Sequence, residues 1–80
     1  MNAPRANRRQ EFVIDRALEK GVKLAPTHLA AIRELRRHGK VECRLVSAIE
    51  TRAFKALIKK GFVLEVFGAY STSYYTLALA

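Results

Sequence analysis

The chain has one cysteine, one methionine, two prolines and no tryptophan, and only 7 acidic residues stand against 15 lysines and arginines. A lone cysteine, Cys43, leaves no internal disulfide to staple the fold and points to no oxidising compartment. No apolar run approaches the roughly 18–20 residues of a membrane span. The charged start MNAPRANRR is followed by no apolar core, so a secretory peptide is not expected and the chain reads as cytoplasmic. The usual marks of an enzyme are also missing: there is no glycine-rich phosphate loop, paired-carboxylate site or serine elbow. His28 and His38 lie at the start and end of one helical stretch, and Cys43 follows at no zinc-ligand spacing. No metal, cofactor or catalytic residue is therefore expected.

What is present is a small basic chain with enough apolar residues for one core. Hydrophobic residues make up 50% of the 80 positions, which argues against disorder. A chain of this length buries only roughly 60–65% of its unfolded surface, so it is marginally stable unless it associates. The formal charge of +8 predicts attraction to a polyanion, whether nucleic acid, an acidic protein face or an anionic membrane.

Residues 1–6 read as a loose basic arm and residues 7–80 as a single domain. A first helix fits from about Asn7 to Lys20, ended by Gly21, with Phe12, Val13, Ile14, Ala17 and Leu18 as its apolar stripe. Val22 and Leu24 in the following linker are available to the core. A second helix fits Thr27 to His38, capped by Thr27 and stopped by Gly39, with Leu29, Ile32 and Leu35 on one face and Ala31 beside them. Lys40 to Cys43 has room for an edge strand. The third helix runs from Ser47 to Lys60. Its start, Ser47-Ala48-Ile49-Glu50, is an S-x-x-E capping box, and Lys59-Lys60-Gly61 supplies cations and a left-handed glycine at its end. Val46, Ile49, Ala53, Ala56 and Leu57 cluster on its apolar side, flanked by Phe54 and Ile58. Ala48, Thr51, Arg52, Lys55 and Lys59 occupy the opposite arc. The runs FVLEVF and YYTLAL, separated by GAYSTS, read as a hairpin with Phe62, Leu64 and Val66 facing inward.

From the helix LAAIRELRRHG, through Val46-Ser47…Thr51…Ala56-Leu57-Ile58-Lys59-Lys60-Gly61-Phe62-Val63, to the closing Tyr74-Tyr75-Thr76-Leu77, the chain resembles a winged helix-turn-helix DNA-binding domain. The resemblance covers roughly residues 27–79. It implies an α+β fold of three helices with a C-terminal β-hairpin wing, in which the third helix reads DNA. Gly39 and Gly61 stand closer together than in most members, leaving room for only a single turn over residues 42–46 before the recognition helix.

A recognition helix needs small or polar residues in its first turns, so that the backbone approaches base edges, and long cations beyond them. Arg44, Ser47, Ala48, Thr51, Arg52, Lys55 and Lys59 meet that requirement. Arg52, whose planar fork matches guanine, is assigned a base contact, and Lys55 and Lys59 are assigned phosphates. In the loop before the last strand, Ser71, Thr72 and Ser73 can donate to phosphates and Tyr70 can stack or bond to sugar-phosphate. Arg5, Arg8 and Arg9 form an arm able to follow a groove. Arg33, Arg36, Arg37 and Lys40 make a second basic cluster around Gly39.

The expected function is sequence-specific binding of double-stranded DNA by a small transcriptional repressor, nucleoid-associated and of a size that suits a phage or plasmid. The apolar first helix is expected to pair two copies on half-sites one helical turn apart. The alternative is a protein-interaction or inhibitory module that meets an acidic protein through Val63, Phe67, Tyr70 and Tyr75. RNA ranks lower, because the stacking pattern of common single-strand readers is missing.

Overall fold

In the computed structural model, which describes residues 11–80, the two ends of the described chain lie side by side: Glu11 and Phe12 run extended beside the C-terminal residues. The Val13 N–H donates to the Ala78 carbonyl and the Ala80 N–H to the Glu11 carbonyl, both at 2.9 Å. This pairing corrects the expected start of the first helix. Phe12 is held at φ −107°, ψ 151°, and helix α1 begins only at Val13, spanning Val13–Glu19. The start proposed near Asn7 and the arm over 1–6 lie outside the described residues.

Helix α2 covers Pro26–His38. Its N-cap is Ala25 and not Thr27, because Pro26 takes the first helical position, where its missing N–H costs no hydrogen bond and its fixed φ suits the helix. Strand β1 (Val41–Glu42) and a single 3-10 turn (Cys43–Leu45) lead to helix α3, Ala48–Lys59. Ser47 caps α3 as expected: the Glu50 N–H donates to Ser47 Oγ at 3.1 Å, and the Ser47 N–H donates to Glu50 Oε1 at 2.8 Å. At the other end Gly61 adopts φ 86°. The Gly61 N–H then reaches the Ile58 carbonyl (2.9 Å) and the Phe62 N–H the Leu57 carbonyl (3.0 Å), a Schellman motif that only a residue free of Cβ strain closes cheaply.

Strands β2 (Val63–Phe67) and β3 (Ser73–Leu77) form the hairpin. The antiparallel sheet has the order β1-β3-β2, with Val41 opposite Tyr75 and Val63 opposite Leu77. Among the described residues the domain is thus α+β, with three helices and a three-stranded sheet sharing one core.

The core joins Ile14 of α1, Ala31, Ile32 and Leu35 of α2, Ala53, Phe54 and Leu57 of α3, and Phe62, Val63, Tyr75 and Leu77 of the sheet region. The Phe54 and Tyr75 rings stack at 4.5 Å between centroids and 15° between planes. Such a pair adds about 0.5–1.5 kcal/mol beyond its area. Three expectations fail here. In the FVLEVF run Phe62 is buried as expected, but Val63, expected on the outer surface, is fully buried, whereas Leu64 and Val66, expected inward, are about half exposed. Phe62 is held against the end of α3 by the Schellman turn, and beyond Val63 the strand leaves the core. Ile49, placed in the core by its spacing, is 67% exposed. Leu29 and Val22 sit at the rim, while Leu24 does pack on the core.

The apolar side of α1 is used within the same molecule. Ile14 is fully buried, Val13 and Ala17 are half-buried, and Asp15 binds Arg36 of α2 at 2.5 Å. No helix of the described residues is long and apolar enough to cross a membrane.

Candidate nucleic-acid interface

The face of α3 that points away from the core gathers four of the expected residues. At 100° per residue, Ala48, Arg52, Lys55 and Lys59 fall within an arc of about 60°, and all four are exposed. Thr51 is half-buried at the margin of that arc. The capping box therefore does two things: it ends the chain's approach to α3, and it fixes which residues of the first turn face outward. Ser47 Oγ is engaged within that cap.

Ion pairing divides the cations. Among the described residues Arg52 and Lys59 meet no carboxylate. Lys55 Nζ lies 3.8 Å from Glu65 Oε1 of β2, so its charge is shared with the hairpin. Arg44, on the 3-10 turn, turns its Nε to Glu42 Oε2 at 2.5 Å and is less available than its position in the sequence suggests. Glu50, the acid of the first turn, is committed to the cap. The outer arc of α3 is therefore cationic along its length.

The hairpin loop is built around a tight turn. The Thr72 N–H donates to the Ala69 carbonyl at 3.2 Å, and the Gly68 N–H to the Thr72 carbonyl at 2.8 Å. Tyr70 and Ser71 both take left-handed φ values, 58° and 60°. For residues with a Cβ this conformation costs on the order of 1 kcal/mol each. Tyr70 is 96% exposed at this tip. The Thr72 hydroxyl donates to the Ala69 carbonyl at 2.8 Å, and Ser73 pairs with Phe67 in the sheet, so these two brace the loop instead of standing at its tip. Tyr70 and Ser71 occupy the tip itself. Arg8 and Arg9 lie outside the described residues.

The second basic cluster is dispersed by the fold. Arg36 binds Asp15, and Arg37 and His38 both approach Glu34, at 3.5 and 3.3 Å. Lys40 lies over the Tyr74 ring, 4.4 Å from its centroid. Arg33 lines a groove of about 250 Å³ between α2 and the start of α3, with Thr27, Ala30 and Ile49.

Behind α3, Cys43, Glu65 and Tyr75 come together. Cys43 Sγ approaches Glu65 Oε2 at 4.0 Å. Burial first of all, then the neighbouring Cys43 and the Glu65 carboxylate, push the Tyr75 hydroxyl up from 10.0 to about 12. Tyr75 therefore keeps its proton at neutral pH and braces the sheet against α3.

Sequence reasoning missed Leu45 and Ile49, which are 75% and 67% exposed at the entrance to α3. Helical spacing grouped Ile49 with the core side of α3. Its angular offset from Ala53 and Leu57, on the margin between the apolar and cationic arcs, was the available signal. Comparison of the chain with protein-family models, curated proteins and solved structures finds no match.

Proposed function

We propose that this chain is a winged-helix domain that binds double-stranded DNA, with α3 in the major groove and the hairpin as a wing along the backbone. The observation that carries this reading is the outer arc of α3, where, among the described residues, Arg52 and Lys59 meet no carboxylate and the nearby acids Glu50 and Glu65 are already engaged. The sheet order β1-β3-β2 and the path from α2 through β1 into α3 suit a winged layout, with the Cys43–Leu45 turn in place of a middle helix. In this arrangement Arg52 presents its fork to a base edge, Lys59 neutralises a phosphate, Lys55 lies beside the backbone with its charge shared with Glu65, and Tyr70 and Ser71 meet the sugar-phosphate backbone. Occupying a promoter in this way is sufficient for repression, and two copies on adjacent half-sites would add specificity.

A second reading draws support from the hairpin. Phe67 is 80% exposed, which suits an aromatic anchor in a protein interface, and Leu64 and Val66 on the other face of the strand are half exposed. Val63 and Tyr75, expected on that surface, are buried and take no part.

The test is fluorescence anisotropy of a labelled random-sequence duplex titrated with protein at several salt concentrations, with an Arg52→Ala/Lys59→Ala variant alongside. Binding near 10⁻⁶–10⁻⁴ M that weakens steeply with salt is expected, and the variant's log–log slope should be shallower by about 0.9 for each phosphate it no longer neutralises. A wild type that ignores DNA even at low salt sinks the proposal and directs attention to Phe67.

A further inference from the structure

Two large aliphatic side chains stand where folding gives no reason for them. Leu45 on the 3-10 turn is 75% exposed and Ile49 in the first turn of α3 is 67% exposed, while Leu57 on the same helix is fully buried. Neither is isolated. Ala48 lies between them, Arg44 precedes them, and Arg52 is one turn along, about 60° round the helix from Ile49. Arg33 shares the groove that Ile49 borders, together with Glu34 and Glu50. The result is two exposed aliphatic side chains at the N-terminal end of α3, at the edge of its cationic arc.

Arg52, which meets no carboxylate among the described residues, and the cationic arc of α3 that continues from it favour a polyanion as the occupant, and the chain's net charge of +8 points the same way. In the major groove of duplex DNA nearly every base-edge group is a hydrogen-bond donor or acceptor, and the apolar exception is the C5-methyl of thymine. An aliphatic side chain pressed onto a polar edge strips its water and returns no hydrogen bond, which is unfavourable. Pressed onto a methyl, it removes apolar surface on both sides from water. We infer that Leu45 and Ile49 read thymine methyl groups in the major groove, next to the base edge met by Arg52. This rests on the DNA-binding reading of α3 and adds the base chemistry to it: the preferred sites carry thymine under the start of the helix.

Two duplex polymers isolate the methyl group. Poly(dA-dT) and poly(dA-dU) share phosphates, pairing and donor–acceptor pattern, and differ at C5 of the pyrimidine. Each is used to compete with a labelled random duplex for wild-type protein and for a Leu45→Ala/Ile49→Ala variant. Because both side chains are largely exposed, the variant keeps the core, which thermal melting by circular dichroism verifies. The wild type is expected to bind the uracil polymer more weakly, by roughly fourfold for each methyl touched, and the variant to bind both polymers alike. Equal wild-type affinity for the two polymers overturns the inference and leaves DNA binding standing. A variant that still discriminates, or that fails to bind either polymer, overturns the assignment to these residues. No wild-type binding to either polymer or to the random duplex removes the DNA reading itself.

Discussion

Replacing Glu65 with glutamine is expected to tighten DNA binding and to steepen its salt dependence, although no cation is added. The Glu65 carboxylate sits 3.8 Å from Lys55 Nζ, and the side chains are 31% and 60% exposed respectively. Glutamine keeps the size and hydrogen-bonding capacity of the side chain but removes the negative charge between α3 and the hairpin. Lys55 is then free to neutralise a phosphate. An exposed ion pair of this kind contributes roughly 0.2–1 kcal/mol to folding, so the native state persists. One further neutralised phosphate adds about 0.9 to the slope of log K against log salt, which amounts to about eightfold in affinity at 0.1 M salt, about fifteenfold at 0.05 M and nothing near 1 M. Anisotropy titrations on one duplex over that salt range measure both quantities. The same substitution in a Lys55→Ala background closes a double-mutant cycle, and there the increase should disappear. A Glu65→Gln variant with the wild-type slope, or an equal increase without Lys55, would refute the reasoning.

Further outcomes follow from the same geometry. Ser47→Ala removes the hydroxyl that accepts the Glu50 N–H, and should cost about 1 kcal/mol, lowering Tm by roughly 4–8 °C in a domain of this size; an unchanged melting curve would show that the cap contributes nothing. The Tyr75 hydroxyl, raised from 10.0 to about 12 in the fold, keeps its proton where the unfolded chain loses it. Its stabilising contribution is intact below pH 10 and falls away as pH rises to 12, by about 3 kcal/mol in all. Urea unfolding of wild type and Tyr75→Phe over pH 9–12 measures it, and the variant should lack this part of the alkaline loss. Tyr70→Gly relieves a left-handed φ of 58° at the hairpin tip. Stability should stay within about 1 kcal/mol of wild type or rise, since the strain relieved is offset by glycine's extra chain entropy. DNA affinity should fall, and an unchanged Kd would remove Tyr70 from the interface.

Much of the local structure was legible because it depends on hydrogen bonds between residues a few positions apart. The Ser47–Glu50 box and the Gly61 turn are complete within a few residues, so the bounds of α3 could be read from the chain. The net charge and the cationic arc of α3 follow from composition and helical period alone. The start of α1 was not legible, because Phe12 pairs with Leu79 at the far end of the chain. Nor was the burial along β2, where the Schellman turn holds Phe62 against α3 and only Val63 of the strand stays in the core. Only the tertiary structure could separate Arg52 and Lys59 from Arg44 and Lys55, since a cation's availability depends on which carboxylate folding brings within 4 Å. The sequence by itself determined where α3 starts and stops and that its outer surface is basic. The packed molecule decided which of those charges remain unpaired among the described residues and which aliphatic side chains stay in water, because burial and the Lys55–Glu65 pairing are set by neighbours further along the chain, and the Arg44–Glu42 pairing by the conformation of the turn between strand and helix.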